Sequence, residues 1–311
     1  MTHGIVDVGT NSVHLLIGVL TPGKSFRLVQ EEHHVTRLGE GGLARGQLTK
    51  TAMRRTFVVL QRYARALRCA GVEHIDAVAT EAVRCARNGR SFVRAVRVQL
   101  GLPLRLLSGR DEARLIHLGV RRVSRFRGPT AIIAIGGGST QLVAGDDQRI
   151  RHAVSLPLGC ARLAQRFIRH DPPRPSELAA LRARVRRCLA PSVRAAHRVS
   201  WRTALGSSAM IGQLVRAAPR PVSRRGHAPS ARPSMSRRRL ERFVEWLSTS
   251  TAAQRKKLPG LDARREACVL TTAVVLLMWM DACDIPMIQC APGSLREGLV
   301  ARLHESIVHR R

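Results

Sequence analysis

The chain has 311 residues, enough for about two domains that each bury their own core. Apolar residues make up 44% of it, which is typical of a globular protein and argues against wholesale disorder. The formal net charge is +32, and only four of the 53 basic residues are lysines, so 49 are arginines. Arginine pairs bidentately with phosphate, so this charge fits a polyanionic partner. It fits equally well the codon bias of a GC-rich genome.

Composition disfavours several functions and locations. Aromatic residues are 3% of the chain and no zinc-finger, helix-turn-helix or RNP pattern occurs, so specific nucleic-acid recognition is not expected. No stretch predicts a membrane span; the apolar run at 267–280 predicts a core helix. Seven cysteines without a CxxC pair predict free thiols, and Asp7 interrupts the first apolar run, so no signal peptide is indicated. We therefore expect a cytoplasmic protein.

The first half of the chain alternates strands and helices. Strands are predicted near residues 4–8, 13–20, 26–30 and 33–38. They are followed by a helix at 49–70, a strand at 75–79, a helix at 91–100, a strand at 104–107 and a helix at 111–122. This order predicts a mixed sheet covered by helices.

After a linker-like segment at 124–129 the pattern starts again with a hairpin. Helices are predicted near 160–170, 176–198, 236–249 and 264–281, then a strand at 287–290 and a closing helix at 294–304. Residues 204–208 are interpreted as a turn, and the stretch 217–236, rich in arginine, proline and serine, as a surface loop. The restart predicts a duplicated α/β unit with domains at 1–124 and 125–311, a cleft between them, and a last helix that packs back on the first domain.

Two short glycine-containing loops occupy corresponding places in the two halves. DVGTNS at 7–12 and AIGGGS at 134–139 each lie between β-branched runs, a pattern typical of strand–turn–strand. Glycine allows the sharp bend, and without a Cβ it lets an anion approach the backbone N–H groups. The loops predict a phosphate chain held by two related domains; two ordinary hairpins are the alternative.

Eight collinear segments resemble the exopolyphosphatase / guanosine-pentaphosphate phosphohydrolase (Ppx/GppA) family of the actin–hexokinase–Hsp70 superfold. They are DVGTNS at 7–12, TRLGEGG at 36–42, ATEAVRCARNG at 79–89, SGRDEARLIHLGV at 108–120, AIGGGST at 134–140, SLPLGCARL at 155–163, LPGLDARRE at 258–266 and GSLREGL at 293–299. The resemblance implies duplicated actin-like (ribonuclease H-like) α/β domains in the short, two-domain form. It also implies Mg²⁺- or Mn²⁺-assisted release of the terminal phosphate of inorganic polyphosphate, or of the 5′ γ-phosphate of pppGpp in the stringent response.

The resemblance also implies roles for individual residues. Glu112 matches the family's catalytic glutamate and would deprotonate the attacking water, although Asp111 and Glu112 could instead simply favour a helix N-terminus. Asp7 would hold the metal, or else bond its own turn. Arg162 is a further candidate to clamp phosphates. The implied phosphate-binding positions are Gly9, Thr10, Asn11, Ser12, Arg37, Arg84, Gly136, Gly137, Gly138, Ser139, Thr140, Gly206 and Ser207.

Two positions depart from the family pattern. Ala134 and Gln141 stand where family members usually carry Asp and Glu. Magnesium prefers anionic oxygens, so a weaker metal site is expected unless Gln141 supplies a carbonyl oxygen or Glu81 compensates. A phosphohydrolase and a polyphosphate- or (p)ppGpp-binding regulator without turnover therefore both remain open. A sugar kinase or chaperone of the same superfold is a third alternative for the function. For the oligomeric state, a homodimer is one alternative.

Overall fold

Two mixed β-sheets, one in each of two structural units, organise the chain. The computed structural model describes residues 1–21, 26–196, 201–218 and 232–308. Unit 1 comprises Met1–Arg122 together with Leu295–Arg311, and unit 2 comprises Val123–Ser294.

Unit 1 contains a five-stranded sheet in the order β3-β2-β1-β4-β5. Its strands are β1 (Thr2–Val8), β2 (Ser12–Val19), β3 (Arg27–Val35), β4 (His74–Ala79) and β5 (Leu104–Leu106). The first three are antiparallel, whereas β4 runs parallel to β1 and β5 parallel to β4. The helices are α1 (Lys50–Cys69), α2 (Glu81–Arg84), α3 (Gly89–Leu100) and α4 (Gly109–Ser124), with a 3-10 turn at Leu43–Arg45.

Unit 2 repeats this strand order and adds one edge strand, giving β10-β11-β9-β6-β7-β8. Its strands are β6 (Thr130–Ile135), β7 (Thr140–Gly145), β8 (Ile150–Leu156), β9 (Thr203–Ser207), β10 (Ser234–Ser236) and β11 (Met287–Ala291). Its helices are α5 (Cys160–Phe167), α6 (Pro175–Ala196), α7 (Ala209–Ala217), α8 (Arg237–Thr249), α9 (Ala252–Lys256) and α10 (Glu266–Ala282), with a 3-10 turn at Ala263–Arg265. The last helix, α11 (Leu295–Val308), belongs to unit 1.

Alternation along the central strands divides the unit 1 sheet into two faces. Val6 and Val8 of β1 lie in one core cluster with Val13 and Leu15 of β2, and the buried Tyr63 of α1 belongs to the same cluster. Asp7 and its cross-strand neighbour His14 lie on the opposite face. The hydrophobic pattern thus fixes the strand register, which places Asp7 opposite His14 near the end of β1.

Most predicted elements are confirmed, with differences at small or polar positions. The two strands expected at 26–30 and 33–38 form the single edge strand β3, because an edge strand tolerates alternating polar residues. The turn expected at 204–208 is strand β9, where Gly206 is required because a Cβ there would lie 2.7 Å from the Ile211 side chain. Strand β8 was not predicted.

Two further expectations concern the loop and the apolar helix. Of the surface loop expected at 217–236, residues 219–231 lie outside the described residues, and Ser234–Ser236 form β10. The apolar run at 267–280 lies within the largely buried α10, as predicted. Among the described residues no helix is long and apolar enough to span a membrane.

Candidate active site

Glu112 lies in the first turn of α4, directly after β5, and is 6% exposed. The helix start is held by its neighbours: the Ser108 hydroxyl accepts from the Asp111 backbone N–H at 3.1 Å and donates to the Asp111 carboxylate at 2.6 Å. Asp111 is half-exposed and serves the helix end in the way acids there usually do. A role in favouring the helix N-terminus therefore fits Asp111. Glu112 is buried instead, and burying a carboxylate is costly, so its position calls for a different role.

Arg84, from the short helix α2, holds the Glu112 carboxylate. Its Nη1 donates to Glu112 Oε2 at 3.0 Å and to the Leu107 carbonyl at 2.6 Å, while its Nη2 donates to Glu81 Oε2 at 2.5 Å. The other Glu81 oxygen accepts from the Cys85 thiol at 3.1 Å. One guanidinium is thus divided between two buried carboxylates and a carbonyl, which fixes the Glu112 rotamer.

Burial shifts the ionisation of two acids in this cluster. Desolvation raises the pKa of Glu112 from 4.5 to about 7; the Arg84 charge and hydrogen bond oppose this shift, and the charges of Asp7 and Glu81 add to it. Desolvation likewise raises the pKa of Asp7 from 3.8 to about 6, opposed by Arg296 and reinforced by Glu297. Asp7 is only partly exposed, and its Oδ1 is enclosed without a hydrogen-bond partner. A carboxylate with a pKa near neutrality suits a general base.

The loop after Asp7 forms a tight turn with inward-facing polar side chains. The Gly9 N–H donates to the Ser12 carbonyl at 3.0 Å, and Thr10 and Ser12 are buried. The Arg37 and Gly39 N–H groups donate to the Asn11 and Thr10 carbonyls at 2.8 and 2.9 Å. The segment around Arg37 therefore fixes the loop through its backbone, with Arg37 itself at a positive φ of 49°.

Unit 2 repeats this turn in its own glycine loop. The Gly136 N–H donates to the Ser139 carbonyl at 2.9 Å, matching the bond in the first loop. Arg162, in the first turns of α5, donates two hydrogen bonds to this loop. Its backbone N–H donates to the Gly137 carbonyl at 3.0 Å, and its Nε donates to the Gly138 carbonyl at 2.9 Å. Arg162 thus supports the loop with at least one guanidinium nitrogen, a role that the phosphate-clamp hypothesis did not include.

The two departures from the family pattern are neighbours in the unit 2 sheet. Ala134 is paired with Gln141 across β6 and β7 and with Ser207 across β6 and β9. The Gln141 amide nitrogen donates to the Ser139 and Ser155 hydroxyls at 2.8 and 3.1 Å. A neutral amide thus replaces the charge expected there and bonds to the loop itself.

Several predicted phosphate-binding side chains have internal partners. The Ser207 hydroxyl donates to the Gly293 carbonyl at 2.6 Å and the Thr140 hydroxyl donates to the Leu158 carbonyl at 2.8 Å. Arg84 is engaged as described, and Arg37 lies 3.5 Å from the Glu40 carboxylate. Gly206 is buried within β9 against α7. Phosphate binding at these positions stays a prediction, for which the loops offer mainly backbone N–H groups.

Comparison with known proteins identifies the chain. The model of the Ppx/GppA phosphatase family matches residues 17–306. The chain belongs to this family. It is 32% identical to Exopolyphosphatase 1 of Mycobacterium tuberculosis over 308 residues, covering 98% of this chain and 89% of that protein. Exopolyphosphatase 1 of Mycobacterium leprae is 31% identical over 308 residues, with 98% and 90% covered.

Solved structures of Ppx/GppA proteins share the fold. An exopolyphosphatase from Cytophaga hutchinsonii superposes with a TM-score of 0.87 at 23% identity, covering 98% of both chains. The Aquifex aeolicus family member gives a TM-score of 0.77 at 23% identity, covering 100% of this chain and 99% of the other. The predictions of a duplicated α/β fold and of a phosphoanhydride-hydrolysing enzyme are confirmed.

Phosphatases of the Ppx/GppA family depend on a divalent metal, and the chain offers few residues that could hold one. Asp7 fits, because its enclosed Oδ1 lacks a partner. Glu81 does not, because both of its oxygens are engaged by Arg84 and Cys85. Within the described ranges, no three His, Cys, Asp or Glu side chains gather as a metal-binding group. Magnesium commonly uses one or two carboxylates together with substrate phosphates, which a single Asp7 satisfies.

The sequence reasoning missed the contribution of α11. Arg296 and Glu297, in the first turn of this helix, both act on the ionisation of Asp7. Arg296 Nη1 also donates to Glu31 on β3 at 2.6 Å. The only sequence signal was the motif GSLREGL itself, since 265 residues separate the two partners.

Proposed function

We propose that this protein is an exopolyphosphatase that releases terminal orthophosphate from inorganic polyphosphate, with the 5′ γ-phosphate of pppGpp as a second substrate. The observation that carries the proposal is the buried Glu112, anchored by Arg84 and with a pKa near 7. Hydrolysis of a phosphoanhydride needs a positioned water and neutralised phosphate oxygens, with little covalent help from the protein. The names of the mycobacterial relatives support polyphosphate as the substrate.

In the proposed mechanism Glu112 accepts the proton of the attacking water at its carboxylate. Arg84 keeps that carboxylate in one orientation through the 3.0 Å bond, so the base does not have to reorganise during the reaction. Backbone N–H groups of residues 10–12 and 137–140 bind phosphate oxygens, while those of Gly9 and Gly136 hold the two turns closed. A bound Mg²⁺ or Mn²⁺ would supply positive charge that neutralises phosphate oxygens. Asp7 would hold it, with the Gln141 amide oxygen as a weaker candidate.

The test is orthophosphate release from polyphosphate and from pppGpp, each measured with Mg²⁺ and with Mn²⁺. We expect activity in the wild type, a loss of about 10²–10⁴-fold in Glu112→Gln, and near wild-type activity in Asp111→Asn. Asp111→Asn is the matched control because it removes an acid from the same helical turn outside the Arg84 cluster. No release from either substrate by the folded wild type would refute the proposal.

A second candidate is a polyphosphate- or (p)ppGpp-binding regulator with little turnover. Ala134 and Gln141 favour it, because they remove negative charge from the second loop region. The double substitution Ala134→Asp with Gln141→Glu separates the two candidates. A wild type that binds polyphosphate without cleaving it, together with a cleaving double variant, would establish the regulator.

We also propose a reducing compartment such as the cytoplasm. Support comes from the seven cysteines, all of which are free thiols.

A further inference from the structure

A pair of buried cysteines in unit 2 has no role in the proposed mechanism. Cys160 is the first residue of α5, and Cys268, far away in sequence, lies in the first turn of α10. They are 2% and 8% exposed and belong to the same hydrophobic core cluster. The Cys268 thiol donates a hydrogen bond to the Cys160 sulfur. Two nucleophilic groups that the hydrolase mechanism leaves unused are therefore in direct contact.

The backbone around this pair is held by two threonines of α10. Thr271 Oγ1 lies 2.9 Å from the Cys160 carbonyl oxygen and 3.2 Å from the Cys268 carbonyl oxygen, so one hydroxyl bridges the two residues. The Thr272 hydroxyl donates to the Cys268 carbonyl at 2.7 Å. Because these bonds join the start of α5 to the first turns of α10, the two sulfurs stay neighbours in the folded protein.

The surroundings make Cys160 the more acidic of the two thiols. The hydrogen bond from Cys268 lowers the pKa of Cys160. The Thr272 hydroxyl and the positive charge of Arg265 lower that pKa further, and together these effects outweigh burial, which acts in the opposite direction. Donating the hydrogen bond raises the pKa of Cys268, as burial also does. The thiolate is the reactive form of cysteine, so Cys160 is the nucleophile of the pair.

Cys160 also supports the second glycine loop. Its backbone N–H donates to the Gly136 carbonyl at 2.9 Å. The preceding residue, Gly159, lies so close to the loop that an added Cβ would be 2.2 Å from the Gly138 backbone. The start of α5 therefore cannot move without moving the loop to which we assign phosphate binding.

We propose that Cys160 and Cys268 are a site of reversible disulfide formation by a small hydroperoxide, and that the disulfide switches off the hydrolase through the second glycine loop. A covalent S–S bond brings two sulfurs closer together than a hydrogen bond does, so it draws the start of α5 towards α10. The loop N–H groups then leave the positions in which they bind phosphate oxygens. The switch rests on the proposed hydrolase function, whereas the disulfide does not.

The reaction balances with hydrogen peroxide as the oxidant. The Cys160 thiolate attacks one peroxide oxygen, the O–O bond breaks, and a sulfenic acid and hydroxide form. The hydroxide takes the Cys268 proton and becomes water, and the Cys268 thiolate attacks the Cys160 sulfur. The S–S bond forms as the sulfenic oxygen leaves as hydroxide, which takes up the proton that Cys160 lost on ionisation. The two thiols thus lose two electrons, and one peroxide is reduced to two waters.

The burial of the pair determines which oxidants reach it. Buried thiols are inert towards bulky reagents, whereas hydrogen peroxide is little larger than water. Transient disulfides of this kind are found in reducing compartments, where cellular thiols later reduce them. The site is therefore compatible with a protein whose seven cysteines are otherwise free.

Disulfide mapping by mass spectrometry tests the site without any substrate. The folded, reduced wild type is treated with hydrogen peroxide, alkylated in denaturant and digested with chymotrypsin, which cleaves at Trp279 between Cys268 and Cys283. The peptides of Cys160 and Cys268 should appear as one linked species that dithiothreitol separates. Cys268→Ala should lack this species. The matched control Cys283→Ala removes another buried cysteine, at the end of α10, and should retain it.

Orthophosphate release from polyphosphate measures the switch. Peroxide should lower the rate by about ten-fold or more in the wild type and in Cys283→Ala, since small displacements of positioning groups are costly, and dithiothreitol should restore it. Cys268→Ala, verified as folded by circular dichroism, should keep its rate. A treated wild type without the linked species would overturn the site. A linked species with an unchanged rate, or an equal loss in Cys268→Ala, would overturn the switch. An inactive reduced wild type would refute the hydrolase function and with it the switch, while the mapping alone decides the disulfide.

Discussion

Replacing Glu112 by glutamine should flatten the dependence of folding stability on pH. The Glu112 pKa rises from 4.5 to about 7 on folding. Between these values the folded protein retains a proton that the unfolded chain releases, so the free energy of unfolding falls as pH rises. Each pKa unit corresponds to about 1.4 kcal/mol, which makes the fall about 3 kcal/mol across this window. Glutamine does not titrate, so the variant lacks this contribution.

The measurement is urea denaturation of the wild type and of Glu112→Gln at a series of pH values from about 5 to about 8. The decrease in unfolding free energy over that range should be smaller in Glu112→Gln by about 3 kcal/mol. A residual decrease is expected in both proteins, because Asp7 also titrates with a pKa raised to about 6. The variant should therefore be catalytically poorer and, above the pKa of Glu112, more stable than the wild type.

The neighbouring acid, Asp111, provides the control for this measurement. Asp111→Asn removes a half-exposed carboxylate from the same helical turn, so its pH profile should parallel that of the wild type. If Glu112→Gln retains the full wild-type slope, or if Asp111→Asn flattens it equally, the buried Glu112 is not the source of the pH dependence. The general-base assignment would then lose its electrostatic basis.

Three further predictions follow from the same geometry. Arg84→Lys should lower kcat by about ten-fold and the unfolding free energy by about 1–3 kcal/mol, because one ammonium cannot hold both carboxylates. Gly159→Ala should destabilise by about 1–3 kcal/mol in urea melts, since its Cβ would lie 2.2 Å from the Gly138 backbone. The control Gly212→Ala, 3.4 Å from a flexible arginine in α7, should be neutral or stabilise by up to about 1 kcal/mol. Asp7→Asn should abolish any increase in Tm produced by MgCl₂; an unchanged increase would remove Asp7 from the metal site.

The sequence predicted those parts of the fold and site that local patterns specify. Both glycine loops form turns with the same N–H to carbonyl bond, Gly9 to Ser12 and Gly136 to Ser139. The strand order β3-β2-β1-β4-β5 recurs as β8-β7-β6-β9-β11, which is the duplication that the restart of the pattern predicted. These features depend on residues close together in sequence, where turn chemistry and alternation decide the structure.

Contacts between residues that are distant in sequence could not be predicted from local patterns. Arg84 and Glu112 are 28 residues apart, and nothing local indicates that this arginine serves two carboxylates when the chain contains 49 arginines. The four-residue helix α2, which orients Arg84, is too short to produce a periodic signal. Strand β9 was not predicted because its Gly206 and Ser207 have the composition of a turn, although packing against α7 requires a glycine at position 206.

The burial of acids in unit 1 argues that the cluster of Asp7, Glu81 and Glu112 has a functional role. Glu81 and Glu112 are each 6% exposed and share one guanidinium, while Asp7 has an enclosed oxygen without a partner. Such an arrangement destabilises the folded state at neutral pH, and apolar residues of similar size would be at least as stable. A chain with so few acids that nevertheless buries them around a single arginine retains them at a cost in stability. In the proposed mechanism, proton transfer from the attacking water provides the compensating advantage, so the same substitution, Glu112→Gln, should raise stability and remove activity.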